Sequence, residues 1–396
     1  MTKPMTHRPQ LEPMTFSQLS CFMDCRRVAY WKYEVGLERR PYENQFEDRT
    51  ALRMGTNFHN ALEQYVRDGF AARDVAALGA VVFQPDEIAM AGDKARPEHA
   101  KIAAMLEAYL KTWQLEDQEQ YKTVGAEIEF LAPIRNPATN AKSRTFVLAG
   151  KLDAIFQDRA TGMDLLVEHK TTTKLDESYV EKVWMDLQIQ LYTNALATED
   201  IDGLFGGSHL AGYVPKPGEV LYDVVVKPQL RYSYPETEGD YQTRLAALIE
   251  KSKTGKSSAK RKEGETLVEF QTRMVEWMLE KPGRLERIRL TIPQDRIDAI
   301  RRQVWDLTKA WLDARLHDNW YQNTHQCLNR YGRRCEFLPI CQSLSNPTVI
   351  SLNYQPRAKI HGELAEIDST PTRSQTPKGV EWLDVPADPD DGAGTF

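Results

Sequence analysis

The stretches "GKLDAIF", residues 150–156, and "LLVEHK", residues 165–170, decide the fold. Both alternate in polarity and contain strand-favouring residues, and turn residues lie between them, so they predict two adjacent strands joined as a hairpin. Side chains two positions apart share one face of a strand, so Glu168 and Lys170 point the same way. The hairpin would bring Asp153 beside them, so that two carboxylates and a lysine converge.

The segments around this hairpin predict an α/β core with a helical subdomain. A third strand is expected in "KTVGAEIEFLAPI", residues 122–134. The Lys-Pro-Gly turn in "LAGYVPKPGEVLYDVVVKP", residues 210–228, predicts two further strands. Helical periodicity predicts single helices at 15–37, 51–69, 97–117, 176–199 and 293–320.

The composition favours a soluble, cytoplasmic protein. The 396 residues are 41% hydrophobic and 27% charged, and no apolar run approaches the ~18 residues that a membrane span requires. The N-terminal "MTKPMTHRPQ" lacks a signal-peptide core, and five cysteines are too few for a disulfide scaffold. The net charge of −6 is not that of a nucleic-acid coat protein, but it leaves room for a local basic groove on an acidic body.

The converging side chains suit hydrolysis of a phosphodiester. Hard divalent cations such as Mg²⁺ prefer carboxylate oxygens, which Asp153 and Glu168 supply, and Lys170 can orient or help deprotonate water. An isolated pattern of this kind also occurs on the exposed face of ordinary strand pairs. His59, with Glu63 one turn later on a predicted helix, suits a Mn²⁺ or Mg²⁺ site, although a lone helical histidine is more often structural.

Gln188 and Tyr192 lie one turn apart on the helix predicted after the hairpin. There they can hydrogen-bond a DNA backbone or the catalytic strands, or form a plain polar edge. Taken in order, these residues resemble the PD-(D/E)XK nuclease superfamily, and specifically its RecB-like branch with the RecBCD and AddAB nuclease domains and phage-encoded relatives. The resemblance covers about residues 14–342. The matching positions are Ser17-Gln-Leu-Ser20, Cys25, Gly55-x-x-Phe-His59, Glu127, Gly150-Lys-Leu-Asp153, Glu168-His-Lys170, Gln188-x-x-x-Tyr192 and the C-terminal cysteines.

The resemblance implies a restriction-endonuclease-like core, in which helices flank a mixed central sheet. The implied ligands of Mg²⁺ or Mn²⁺ are His59, Asp153, Glu168 and the His169 carbonyl. The other implied site residues are Lys170 as the catalytic lysine, Glu127 as an accessory acid chosen over Glu129, and Gln188 and Tyr192 as the trailing helix motif. Leu152 replaces the proline of the family name, which leaves the aspartate in place.

Three cysteines lie in "QCLNRYGRRCEFLPICQ", residues 326–342, with the spacing C-x7-C-x5-C. Iron–sulfur members of the resembled branch join one N-terminal cysteine to three near the C-terminus. This implies a [4Fe-4S] clasp with the ligands Cys25, Cys327, Cys335 and Cys341, although the AddB-like pattern has a tighter first gap. Four thiolates also bind Zn²⁺, and plain core cysteines are a third interpretation. Cys21, one turn before Cys25, is expected only to pack.

A basic cluster and an acidic tail complete the chain. The basic residues are Lys251, Lys253, Lys256, Lys260, Arg261 and Lys262, in a loop that either follows a phosphate backbone or is simply solvated. "TGKSS", residues 254–258, is not a Walker A motif, because the first glycine of the motif would fall at Glu250. The tail ends in acidic residues and Phe396, and either recruits a partner or is inert.

The expected organisation is a disordered segment at 1–13, a nuclease domain at 14–344 and a disordered acidic tail at 345–396. The nuclease domain divides into a helical part at about 14–118, a catalytic core at about 119–228, a basic loop at about 250–265, and a C-terminal helix with the cysteine cluster at about 293–344.

The function expected is a divalent-metal-dependent DNA exonuclease of recombination, replication or repair in a bacterial or phage-infected cell. It would act on single strands or free ends, with a helicase, a recombinase or a single-stranded DNA-binding protein as partner. One alternative is an endonuclease or RNA-directed nuclease of the same fold. The other is a non-catalytic DNA-binding or scaffolding subunit.

Overall fold

A six-stranded mixed sheet organises the chain, in a computed structural model that describes residues 11–40, 50–71, 95–198, 204–206, 208–328, 334–364 and 380. The strands are β1 (Glu12–Met14), β2 (Leu37–Arg39), β3 (Tyr121–Arg135), β4 (Lys142–Asp158), β5 (Asp164–Thr172), β6 (Pro217–Val226), β7 (Leu285–Leu290) and β8 (Tyr354–Pro356). All but β2 and β8, which form a separate pair, belong to the large sheet.

The helices are α1 (Phe16–Asp24), α2 (Arg26–Ala29), α3 (Thr50–Arg67), α4 (Ala95–Gln120), α5 (Glu177–Val183), α6 (Leu187–Leu196), α7 (Glu238–Lys251), α8 (Leu267–Glu280), α9 (Gln294–His317), α10 (Leu338–Gln342) and α11 (Pro347–Asn353). A π-helical turn spans Tyr30–Glu34, and a 3₁₀ turn spans Thr324–Gln326. Within the described ranges, no helix is both long and apolar enough to cross a bilayer.

The long strand β4 pairs with three other strands of the sheet. One edge pairs antiparallel with β3, from Tyr121 to Arg135. The other edge pairs with β1 in parallel at 146–148 and with β5 antiparallel at 154–157. Strand β6 continues the sheet parallel to β5, and β7 closes it antiparallel to β6. This mixed sheet between helices confirms the expected core architecture.

Each face of the sheet buries its own apolar cluster. On one face Phe130 and Tyr192 pack with residues of α1, α6 and α9, among them Trp311. On the other face Tyr109 of α4 and residues of α3 pack against Phe156 and its neighbours. The two faces hold different helices, so a side chain's direction from its strand decides which helices it meets.

The single helix expected at 15–37 is wrong, because the chain breaks at Cys25. This residue has extended backbone between α1 and α2. The Arg27 backbone N–H donates to the Tyr321 carbonyl, and the Asn323 N–H donates to the Cys25 sulfur. These contacts with a segment near the C-terminus replace part of the local helical pattern.

Two other expectations in the core need correction. The helix expected at 176–199 divides at Asp186, whose carboxylate accepts the Gln188 N–H and begins α6. The region 210–228 contains one strand, β6, instead of two. Its first part is irregular because Asp164 accepts hydrogen bonds from the Tyr213 hydroxyl and the Lys216 backbone N–H.

The ends of the described chain are ordered where disorder was expected. Strand β1 lies partly within residues 1–13, and α11 and β8 lie within the expected tail. Strand β8 pairs antiparallel with β2, and the Arg40 guanidinium donates to the Ser351 and Tyr354 carbonyls. Residues 1–10, 365–379 and 381–396, including the acidic end at Phe396, lie outside the described residues.

A second set of contacts joins the N-terminal segment to α9. The Arg315 guanidinium donates to both Glu34 oxygens and to Glu12, and the Trp311 indole N–H also donates to Glu34. Hydrogen bonds between an arginine and carboxylates are among the stronger ones in proteins. The N-terminal segment is therefore held independently of any cysteine.

Candidate active site

The candidate site lies where β4 and β5 separate. The last paired residues are Ala154 and Val167, the immediate chain neighbours of Asp153 and Glu168. The Asp153 carboxylate takes the place of the missing strand contact, because its Oδ2 accepts the backbone N–H of His169 at 2.8 Å. This fixes one oxygen of Asp153 at the fork between the strands.

Glu168 and Lys170 lie together on β5, as expected from their spacing. The Lys170 ammonium donates to Glu168 Oε1 and to Gln188 Oε1, the latter at 3.1 Å. The Glu168 side chain is fully buried, and its Oε2 has no hydrogen-bond partner in the described structure. Gln188 of α6 thus positions the lysine, while one buried carboxylate oxygen remains available to a cation.

His59 reaches the site from α3. Its Nδ1 lies 3.7 Å from Asp153 Oδ2. Gly55, one turn earlier, lets α3 approach the ends of the strands. A Cβ there would lie 3.1 Å from Thr171 Oγ1 and 3.5 Å from Lys227 Nζ.

Glu127 lies at an irregular point of β3, with φ of +52°. A non-glycine residue rarely adopts positive φ, and such residues are concentrated at functional sites. Its carboxylate forms an ion pair with Lys151. Burial raises the pKa of Glu127, and the charge of Asp153 contributes to the rise. Glu127 therefore lies within electrostatic reach of Asp153.

Tyr192 fills the floor of the site from α6. Its ring packs edge-on against Phe130, with the centroids 5.3 Å apart. A Cβ at Gly150 would lie 2.7 Å from Phe130 atoms and 2.9 Å from Tyr192 Cε1, so only glycine leaves room for both rings. Burial raises the pKa of the Tyr192 hydroxyl, which keeps its proton.

Burial dominates the electrostatics of the site. Burial and the charge of Asp153 raise the pKa of Glu168 to about 8, although Lys170 opposes the shift. Burial lowers the pKa of His59 to about 4, and that of His169 to about 3. Both imidazoles are therefore neutral near pH 7, and a neutral imidazole can bind a metal.

The donor chemistry fits a divalent cation. Asp153, Glu168 and His59 offer two carboxylates and an imidazole, the set that suits Mg²⁺ or Mn²⁺. The buried Glu168 Oε2 without a partner is an acceptor that a cation would satisfy. Lys170 neutralises the other oxygen. Across the described residues, no group of three or more His, Cys, Asp or Glu side chains is already arranged to hold a metal ion.

The structure thus brings together all the sequence-predicted residues of this site: His59, Glu127, Asp153, Glu168, His169, Lys170, Gln188 and Tyr192. It also shows three that sequence reasoning missed. Lys151 pairs with Glu127, and the charge of Asp186 raises the pKa of Glu168. The charge of Lys227 contributes to lowering the pKa of His59. Only Asp186 had a sequence signal, since it is an N-cap residue before an apolar run.

The cysteines form a second cluster. Burial raises the pKa of Cys341 to about 11, and nearby Cys335, Cys25 and Cys327 contribute to that shift. The Cys335 N–H donates to the Cys327 carbonyl. The four predicted ligands are thus mutual neighbours, and all five cysteines are free thiols. Burial raises the pKa of Cys21 to about 12, but of the other cysteines only Cys25 contributes to it.

The basic residues at 251–262 lie on the surface. All six side chains are exposed, and α7 before them buries none of its residues. The segment folds back on itself, because Glu236 accepts hydrogen bonds from the Arg244 guanidinium and the Lys262 N–H. The Arg261 guanidinium donates to the Glu236 carbonyl. We call residues 236–262 the basic arm.

A family model described as the PD-(D/E)XK nuclease superfamily matches residues 13–342. A search of curated proteins finds no match. The matched residues include the large sheet except the first residue of β1. They also include the helices on both faces of that sheet around the candidate site, and all five cysteines.

Proposed function

Since the matched residues make up most of its length, the chain belongs to the PD-(D/E)XK nuclease superfamily of metal-dependent nucleases, and we propose that it is a DNA exonuclease of the RecB-like branch. The observation that carries the proposal is the convergence of Asp153, Glu168, Lys170 and His59 at the fork between β4 and β5. The enzyme would act in the cytoplasm of a bacterial or phage-infected cell, in recombination, replication or repair.

The residues of the site have separate tasks in hydrolysis. A bound Mg²⁺ or Mn²⁺ supplies a more acidic water and neutralises phosphate charge. Asp153, Glu168 and His59 would hold the cation, with the His169 carbonyl as a further ligand. Lys170, held by Gln188, orients the attacking water and faces the phosphate. Lys151 and Lys227 add positive charge near His59, which favours a polyanionic substrate.

The first test is a cleavage assay on end-labelled DNA with Mg²⁺, Mn²⁺ or EDTA. We expect release of labelled products from linear single- or double-stranded DNA with either cation and none with EDTA, because the carboxylates need the cation to act on phosphate. Covalently closed circles should resist cleavage. Cleavage of circles would instead indicate an endonuclease, and binding without cleavage would indicate a non-catalytic subunit.

We further propose that Cys25, Cys327, Cys335 and Cys341 hold a [4Fe-4S] cluster. Burial raises the pKa of Cys335 and Cys341, and nearby Cys25 and Cys327 add to both shifts, which places the four sulfur atoms close together. Thiols at such a point are stabilised when a soft metal replaces their protons, and thiolates are the usual ligands of iron–sulfur clusters. Anaerobically purified protein should be brown, with about four iron atoms per chain. A colourless sample that contains zinc would favour the zinc alternative.

The basic arm is proposed to follow the DNA backbone. Its five lysines form no ion pair with the residues that the structure describes, so their charges are available to phosphates. Changing Lys251, Lys253 and Lys256 to alanine should lower the slope of log Kd against log salt by about 2 for single-stranded DNA, since each phosphate contact contributes ~0.7. Fluorescence anisotropy at several salt concentrations measures this.

A control triple variant removes three exposed basic residues of α9, Arg296, Arg302 and Lys309. It changes the net charge equally, so it should leave the salt slope unchanged if the arm is a specific contact. Equal slopes for the two triple variants would mean that the arm is only solvated. A helicase, a recombinase or a single-stranded DNA-binding protein is the expected class of partner that exposes a strand to the enzyme.

A further inference from the structure

Three ionisable side chains form a lateral row behind the candidate site. The strand register places His169 of β5 beside Asp223 of β6, and Asp223 beside Arg287 of β7. Side chains in register on adjacent strands share one face of a sheet. The row is buried, since His169 is 5% exposed and Asp223 is 1% exposed. It begins next to Asp153, whose Oδ2 lies 3.8 Å from His169 Nδ1.

The far end of the row is already neutralised by other groups. The Arg287 guanidinium donates to both Asp117 oxygens, at 2.6 and 3.1 Å, and to the Tyr109 hydroxyl. Its contact with Asp223 is longer, 3.4 Å from Nε to Oδ2. Asp117 is therefore the main hydrogen-bond partner of Arg287.

The near end of the row is incompletely satisfied. His169 Nε2 lies 3.9 Å from Asp223 Oδ2, and neither His169 Nε2 nor Asp223 Oδ1 has a hydrogen-bond partner in the described structure. Asp223 Oδ2 accepts the Tyr109 hydroxyl at 2.6 Å, which fixes the carboxylate. A small rotation of the imidazole would let Nε2–H donate to the Asp223 carboxylate, and the buried His169 nitrogen would then be satisfied.

A neutral imidazole carries one N–H, and the partner of that N–H decides which nitrogen keeps its lone pair. If Nε2–H donates to Asp223, the lone pair lies on Nδ1 and faces Asp153. Lone pair and carboxylate repel each other unless a cation lies between them. An imidazole held by a carboxylate through its other nitrogen is a common arrangement at metal sites.

We propose that Asp223 is a positioning residue, which holds the Nε2–H form of His169 so that Nδ1 and Asp153 Oδ2 together face the bound cation. The inference rests on the proposed metal-dependent nuclease. It adds His169 Nδ1 to the atoms that face the cation. It also makes Asp223, which lies on β6 and two strands from Asp153 on β4, part of the support of the site. An additional nitrogen donor favours Mn²⁺ over Mg²⁺.

The test compares Asp223→Asn with Asp117→Asn. Both changes remove one carboxylate from the Arg287 network and keep the size of the side chain, but only Asp223 lies beside His169. Mn²⁺ binding is measured by calorimetry and electron paramagnetic resonance on the full chain without DNA. We expect Asp223→Asn to weaken Mn²⁺ binding about 10–100-fold, as is typical when a carboxylate behind a metal-binding histidine is lost.

In cleavage assays Asp223→Asn should lower kcat at fixed Mn²⁺ and leave the KM for DNA unchanged, whereas Asp117→Asn should change Mn²⁺ affinity less than about twofold. A second comparison uses His169→Leu, in which the additional change Asp223→Asn should have no further effect on Mn²⁺ affinity, because the two residues act through one contact. Thermal unfolding of each variant controls for folding.

The outcomes separate the inference from the proposed function. Equal Mn²⁺ affinities for Asp223→Asn and the unaltered chain, or equal losses in Asp223→Asn and Asp117→Asn, would overturn the positioning role. An additive effect of Asp223→Asn on the His169→Leu background would also overturn it. If the unaltered chain binds Mn²⁺ but cleaves no DNA, while Asp223→Asn still weakens Mn²⁺ binding, the positioning role stands and the nuclease proposal fails.

Discussion

Lys170→Ala should abolish DNA cleavage while leaving DNA binding intact. The ammonium is the group that donates to both Glu168 and Gln188, and it is the lysine nearest the carboxylates on the same strand face. A positioned side chain that assists proton transfer contributes about 10²–10⁴-fold to a rate. We expect a loss of that size in single-turnover cleavage, measured on end-labelled linear DNA with Mg²⁺.

The matched control is Lys174→Ala. Lys174 follows the same strand, and its highly exposed ammonium forms an ion pair with Asp176. Its loss should leave the cleavage rate unchanged. Fluorescence anisotropy should give similar Kd values for DNA with both variants and the unaltered chain. A Lys170→Ala protein that cleaves at the original rate would refute the assigned site.

Cys25→Ser should remove the proposed cluster and destabilise the fold. A cross-link that closes a long loop restricts the unfolded chain, and loss of such a link typically costs about 2–5 kcal/mol. The loss should fall at the low end of this range, because Arg315 and the β2–β8 pair hold the same segments together without the cysteines. Iron content, visible absorption and thermal unfolding measure the effect.

Cys21→Ser is the control for this prediction. Cys21 is a half-buried thiol of α1, and its pKa responds to Cys25 and not to the three C-terminal cysteines. The Cys21→Ser variant should keep the full iron content and absorption spectrum. If Cys21→Ser loses the iron and Cys25→Ser keeps it, the ligand assignment is reversed.

The strands that carry the active site could be predicted because the sequence pattern within each strand is enough to identify it. Alternating polarity identifies β4 and β5, and the two-residue spacing of Glu168 and Lys170 fixes their common face. Asp153, Glu168 and Lys170 therefore meet as expected. The approach of His59 from α3 depends on packing that no local pattern specifies, and only the family resemblance pointed to it.

Features that depend on distant pairing could not be predicted in this way. Cys25 interrupts a good helical pattern because residues 321–323 hydrogen-bond its sulfur and the backbone of its neighbours Asp24 and Arg27. The tail beyond residue 345 is polar on average, yet β8 finds a partner in β2. Asp223 looks like a break in an apolar strand until the register places it between His169 and Arg287. Propensity and composition carry no information about these contacts.

The pairing of β2 with β8 sets an order on biosynthesis. The Gln355 side chain donates to Glu38, which precedes it by 317 positions. A ribosome releases the N-terminus first, so β2 and Cys25 emerge long before their partners have been translated. The antiparallel strands β3–β5 have neighbours close in sequence and can pair earlier. The β2–β8 pair can therefore form only once translation has passed residue 356, and a nascent chain cut before β8 would carry the large sheet but leave β2 without its partner strand.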